Sequence, residues 1–220
     1  MDNIKSFVLR SGRMSRAQAR SYRELSAPFL IPPRPSPADF VSLFGNLNPL
    51  TVEIGFGMGT ATAEIAAANP GNNYLGIEVF KGGIGRLLWE IKERSLSNVR
   101  IIEGDAAEVL ETMLPEESAA AFHIFFPDPW PKKRHHKRRL IQRPFTDLLA
   151  SRLQRKGYIY MVTDWEDYGQ WALREFSAAG LKNPYGGFAP RQEWRPLTKF
   201  ERKGLDKNHR VREIYYLKDG

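Results

Sequence analysis

The chain has no cysteine among its 220 residues. That excludes disulfides, zinc–thiolate centres and a cysteine nucleophile. Histidine is scarce, and His123, His135, His136 and His209 show no ligand spacing with flanking acids, so no metal is expected. No apolar run approaches the roughly 20 residues of a bilayer-spanning helix. The opening residues, MDNIKSFVLRSGR, lack the apolar core of a secretory signal. Together these absences lead us to expect no membrane association and a cytoplasmic location. One further absence is local: between Lys132 and Arg139 there is no acid, while six of the eight residues are Lys or Arg.

What is present fits one globular domain with a real core, 42% hydrophobic and 12% aromatic. The net charge of +8 is clustered rather than dispersed, which favours a polyanionic partner, nucleic acid above all. Residues 1 to about 37 read as a basic arm. Lys5, Arg10, Arg13, Arg16, Arg20 and Arg23 recur there, and Pro28, Pro32, Pro33, Pro35 and Pro37 form a stiff linker unsuited to a helix interior. Such an arm suits a solvated tail or a grip on RNA.

From residue 38 onward the pattern is regular. Apolar β-prone runs at 50–55, 73–78, 99–103, 119–126 and 157–163 alternate with helical patterns at 59–68, 83–95, 106–113, 140–155 and 165–179. That alternation predicts an α/β fold, a doubly wound, mostly parallel Rossmann-like sheet flanked by helices. Arg212–Leu217 reads as a last, antiparallel edge strand, with a short strand near 181–185 as its neighbour.

Where the first strand meets the first helix stands Glu53-Ile54-Gly55-Phe56-Gly57-Met58-Gly59. Glycines there permit a tight turn and close approach of a ligand to the backbone. Glu78 ends the next strand, where an acid can accept both hydroxyls of a ribose. Asp105 follows the third strand and can receive the amine of an adenine. The spacing is GxGxG, not the GxGxxG of the dinucleotide fingerprint. Glu53 would repel a pyrophosphate and attract an ammonium group. Three acids at three successive strand ends suit S-adenosylmethionine better than a nicotinamide dinucleotide. Each alone also suits a helix cap, and for Asp105 the two uses are evenly matched.

The stretch Phe125–Arg139, FFPDPWPKKRHHKRR, is the most informative. It fixes Asp128 between two prolines at a strand end, beside Trp130, whose face can stack a base. Together with EIGFGMG, GIEV, GDA, TDW and TKFE, it closely resembles the bacterial tRNA (guanine-N7-)-methyltransferases, in the same order from about Ile4 to Leu217. The resemblance implies a class I methyltransferase domain over 38–220. It implies S-adenosylmethionine held by Glu53, Gly55, Gly57, Gly59, Glu78, Asp105 and Asp128, with Asp128 as the catalytic residue. It further implies substrate contacts from Lys132, Asp164, Thr198, Lys199, Phe200 and Glu201. Arg134, His135, His136, Lys137, Arg138 and Arg139 would meet RNA. The product would be 7-methylguanosine at tRNA position 46.

Local chemistry leaves other readings open. Asp164 and the Thr198-x-x-Glu201 spacing also suit helix caps. His123 reads as a core residue, and Trp165, Trp171 and Phe176 as a packed helix face. A methyltransferase of another RNA or another atom shares the same cofactor signals, and an RNA-binding protein with a degenerate pocket shares the basic run. Monomer and homodimer fit the sequence equally.

Overall fold

The apolar runs form the strands of one sheet. The structure, a computed structural model, describes residues 5–7, 13–197, 201 and 210–220. In chain order these comprise α1 (Arg16–Phe29), β1 (Leu30–Ile31), α2 (Phe40–Phe44), β2 (Leu50–Ile54), α3 (Thr60–Ala68), β3 (Asn73–Glu78), α4 (Lys81–Glu93) and β4 (Val99–Glu103). There follow α5 (Ala106–Thr112), β5 (Ala119–Phe125), a 3-10 turn (Lys133–Arg138), α6 (Phe145–Arg152), β6 (Leu153–Thr163), α7 (Glu166–Ala178) and β7 (Arg212–Leu217). The sheet order is β1-β4-β3-β2-β5-β6-β7. Every pairing is parallel except β6 with β7. The order in which successive strands are added reverses between β2 and β5, the switch point at whose carboxyl side doubly wound sheets bind ligands.

Val52, Leu75, Phe122, Ile124, Ile159 and Met161 are buried and pack between the sheet and its helices. Strands covered on both faces need such continuous apolar character. The region 181–185 contributes only an isolated bridge, Lys182 to Leu217. The helix expected over 140–155 is shorter. Pro144 stands at its N-cap, and the chain turns extended at Leu153, so β6 begins earlier than expected.

The basic arm differs most from expectation. Ser15 opens α1 with a capping box, its hydroxyl accepting from Gln18 N and Gln18 Oε1 accepting from Ser15 N. Pro28 lies inside the last turn of this helix. Leu30 and Ile31 then add an edge strand to β4. The helix rests on α4, where a Cβ added at Gly85 would stand 2.5 Å from the Gln18 carbonyl oxygen. Residues 16–31 are therefore folded onto the sheet edge. Tyr22 of α1 donates to Glu103 at the end of β4, so the helix also braces the ligand side of the sheet. Among the described residues no helix is long and apolar enough to cross a membrane.

Replacing Gly85 with Ala should force α1 off α4 and cost about 1–3 kcal/mol, the range for overpacking a fitted contact. A urea titration checks this, and an unchanged midpoint would mean that α1 does not contribute to the folded core.

Candidate catalytic edge

The turn after β2 is built on backbone that only glycine adopts readily. Gly55, Gly57 and Gly59 have φ of 71°, 58° and 68°. A Cβ on Gly83 of α4 would fall 1.8 Å from the Gly57 carbonyl oxygen, so helix and turn meet backbone to backbone. Glu78 ties this turn down from β3. Its Oε2 accepts from Gly57 N at 2.8 Å, and its Oε1 from Val79 N at 2.7 Å and Phe80 N at 3.0 Å. A carboxylate has about four acceptor sites, so Glu78 keeps capacity for a hydroxyl partner.

Glu53 is a different kind of acid. It is buried, and its pKa is pushed up to about 7. Burial is the main cause; the neighbouring Thr62 hydroxyl opposes it and the charge of Glu78 adds to it. Among the described residues no cationic side chain pairs with Glu53. A buried acid with no cation of its own is suited to a cationic ligand group. Asp105 is half-buried and caps α5, its Oδ1 accepting from Ala107 N at 3.0 Å. The cap is thus present, and an N-cap carboxylate that uses one oxygen this way can still accept a ligand donor on the other face.

Across the switch point, β5 ends at Phe125, and Phe126 N donates to the Val162 carbonyl at 2.8 Å. Asp128 is exposed at the tip of the following turn. Two non-glycine residues of positive φ bracket it, Phe126 at 51° and Trp130 at 45°. Trp130 is less available than the sequence suggests. Arg138 lies 4.1 Å over its ring, and its indole N–H donates to Ser6 O at 3.0 Å. Arg138 also donates to the carbonyls of Lys5 and Phe7, so its guanidinium is largely engaged by the protein.

Lys132, Lys133, Arg134 and Lys137 are exposed. His135 and His136 are half-buried, set edge-on to Trp130 and Trp171. Partial burial, then the cations of Arg134, Lys132, Arg138 and Lys137, hold His135 below its ordinary pKa. Arg139 departs from expectation altogether. It is 1% exposed, with its guanidinium between Tyr168 and Trp171 of α7, so it has no surface to offer a phosphate.

At the end of β6, Asp164 is half-buried and the cap position of α7 falls to Trp165. Trp165 is 42% exposed, contrary to the packed role expected of it, whereas Phe176 is buried and Trp171 donates to the Ile141 carbonyl at 2.6 Å. The expectations for Thr198, Lys199 and Phe200 lie outside the described residues. Glu201 is described and is buried. It receives a two-pronged bond from Arg195, Nη1 to Oε2 at 2.6 Å and Nη2 to Oε1 at 2.7 Å. Arg195 also reaches Glu213 of β7 at 2.8 Å, and Tyr160 of β6 donates to Glu213. Burial pushes Glu213 up to about 7. Residue order alone does not reveal this cluster, because Tyr160 on β6 lies far along the chain from Glu213 on β7 and is brought to it and to Arg195 only by the β6–β7 pairing.

His123 is the core residue expected of it. It is 2% exposed, stacked on Trp194 with ring centres 4.7 Å apart, and bonded through Nε2 to the Tyr158 hydroxyl at 3.1 Å. Among the described residues no cluster of His, Asp and Glu could hold a metal.

A family described as "Putative methyltransferase" matches residues 47–214. The chain is 50% identical over 218 residues to the tRNA (guanine-N(7)-)-methyltransferase of Paraburkholderia xenovorans strain LB400, covering 99% of this chain and 84% of that protein. It is 51% identical to the enzyme of the same name from Aromatoleum aromaticum strain DSM 19018, covering 99% and 85%. Among solved structures, the 16S rRNA methyltransferase KamB superposes with a TM-score of 0.62 at 13% identity, over 84% of this chain and 95% of that one. At that identity the likeness speaks for the fold.

Burial holds the His123 pKa down at about 3, against 6.5 for a free imidazole. The unfolded chain therefore binds the extra proton between those values. The stability this group contributes is full above pH 6.5 and falls as pH drops toward 3, by about 1.4 kcal/mol per pH unit. His123→Phe, which keeps the stack, should flatten that acid-side slope in denaturant titrations between pH 6.5 and 5. An unaltered slope would show that another group carries it.

Proposed function

The chain belongs to the tRNA (guanine-N7-)-methyltransferases, and on that footing we propose that it methylates N7 of the variable-loop guanine at tRNA position 46, with S-adenosylmethionine as donor. The observation that carries this reading is the meeting of two turns at one switch point. The glycine turn tied to Glu78 stands on one side, and the Asp128 turn leading into an exposed cationic run stands on the other.

S-adenosylmethionine, when bound, supplies the electrophilic methyl group. The donor set fits it: Glu53 is suited to the ammonium group, Glu78 to the ribose hydroxyls and Asp105 to the adenine amine. The positive-φ glycines, alternating with Phe56 and Met58, put no side chain of their own between the backbone and an approaching ligand.

Guanine N7 carries an in-plane lone pair and no proton, so no general base is required to expose it. The protein's task is alignment at near-attack distance. As the base becomes cationic, its N1–H and exocyclic amine become stronger donors. A carboxylate accepting from them gains more in the transition state than in the ground state. Asp128, exposed at the tip of its turn, takes that role. Trp165, 42% exposed after the neighbouring strand β6, is the aromatic residue suited to stack on the base, since the face of Trp130 carries Arg138. The exposed Lys132, Lys133, Arg134 and Lys137 are suited to meet the phosphate backbone. Such a reaction belongs in the cytoplasm, where tRNA is matured.

Incubation with labelled S-adenosylmethionine and unmodified tRNA, followed by borohydride and aniline treatment, should cleave the tRNA in its variable loop. Methyl incorporation without that scission would assign another base or atom. Asp128→Asn should reduce turnover by roughly 100-fold or more, as loss of a transition-state donor–acceptor contact does, while cofactor affinity changes little. Full turnover in that variant removes Asp128 from the reaction.

Glu53 adds a pH dependence. Its pKa near 7 in the free protein should fall when a cation binds, so binding releases a proton. Cofactor affinity should then rise by about tenfold per pH unit below 7 and level off above it. The same raised pKa means that folding stability is greatest below the free carboxylate value and declines as pH rises through 7. Glu53→Gln should therefore abolish the pH dependence of binding, weaken the cofactor, and leave the protein more stable at pH 8. Isothermal titration and denaturant midpoints at pH 6 and 8 check both halves.

A further inference from the structure

The Asp128 turn has a problem of its own making. Pro127 and Pro129 have no N–H, so the turn lacks the backbone donors that would let it staple itself. Phe126 and Trp130 both sit at positive φ, a conformation that costs energy in residues with side chains and persists only where surroundings enforce it. One end is held by the bond from Phe126 N to Val162 O. At the other end the donor is Arg139, whose Nε reaches the Pro129 carbonyl at 3.0 Å.

Arg139 is fixed in turn by α7. Its Nη2 donates to Asp167 at 2.5 Å, and its Cζ lies 5.1 Å from the ring centre of Tyr168 and 5.0 Å from that of Trp171. Asp167 is held below its ordinary pKa first by this hydrogen bond, so the carboxylate stays charged. The arrangement is costly as a source of stability. The side chain of Arg139 is fully buried while that of Asp167 is 62% exposed, and Arg139 Nη1 has no hydrogen-bond partner. A cation buried with one idle donor points to an architectural task rather than to stability for its own sake.

We infer that Arg139 is a positioning residue for Asp128, not a phosphate contact: it clamps the carbonyl that follows the carboxylate to α7, and so sets where Asp128 stands. This rests on the reading of Asp128 as the group that anchors the guanine. Arg139 touches neither substrate nor cofactor and acts through the turn. Lysine cannot replace it, because a single ammonium cannot lie flat between two rings while donating in two fixed directions.

The test compares the full chain with Arg139→Lys and with Asp167→Ala, each in the native and the Asp128→Asn backgrounds. The readouts are kcat, KM for tRNA, the salt dependence of tRNA binding and the unfolding midpoint. In the native background Arg139→Lys should lower kcat by roughly 10- to 100-fold, the penalty of a misplaced reacting group. KM and the salt slope should hold. In the Asp128→Asn background the same change should cost less than about twofold, because the group it positions is already gone. Asp167→Ala, at a mostly exposed position, should show a smaller kcat loss with the same non-additivity, and it carries the test if Arg139→Lys does not fold. Equal losses in both backgrounds, or unfolding of both variants, would reduce Arg139 to a packing role and overturn the inference alone. In a third variant that removes the charge, Arg139→Gln, a salt slope shallower by about one would restore it as a phosphate contact. If Asp128→Asn by itself retains full turnover, the underlying reading of Asp128 fails, and the inference falls with it.

Discussion

Strand β5 runs parallel between β2 and β6, and the rest of the ligand side follows from that pairing. Its register sets His123 beside Glu53 on one flank and beside Tyr160 on the other. Because the winding reverses between β2 and β5, no helix crosses over the gap between their carboxyl ends. The glycine turn and the Asp128 turn are left facing one cleft. The bond from Phe126 to Val162 extends the pairing one step past the last strand residue and delivers the chain, already turned, to Pro127. Moving β5 by one residue would put His123 on the other face and Asp128 out of the cleft.

Charge is distributed to match. The exterior of the turn after β5 is cationic, while the sheet holds acids whose burial raises their pKa, Glu53 and Glu213. The two have opposite circumstances. Glu213 is met by Arg195 and the Tyr160 hydroxyl, a closed cluster that fastens Glu201 to β7. For Glu53 no such cation is provided among the described residues.

Much of this could be read from residue order. Strands β2 to β6 announce themselves as apolar runs. The acids Glu53, Glu78 and Asp128 stand at strand ends because the runs stop there, and the family resemblance rests on those same positions. What escaped was decided by tertiary contact. Helix α1 looks like a solvated arm because arginines dominate it; its few apolar contacts, Tyr22, Leu25 and Phe29, are scattered among them, and its close approach to α4 is made at Gly85, which carries no side chain to detect. The Ser15–Gln18 capping box was a local signal for that helix, outweighed by the prolines that follow. Arg139 sits in a run whose composition says solvent, yet two aromatic rings and a carboxylate from α7 enclose it. Trp165 was assigned to a packed face by helical spacing, but it precedes the helix, at the cap, where the spacing no longer applies.

The three backbone N–H groups gathered by Glu78 bear on how fast a ligand is captured. With its carboxylate immobilised on Gly57, Val79 and Phe80, this acid has no rotamer search left to make and little chain entropy left to lose when a hydroxyl arrives. The cost of shaping that half of the cleft is met during folding. On the proposed reading of Glu78 as a ribose contact, association on this side would be limited by diffusion and dehydration, and selectivity expressed in how long the ligand stays.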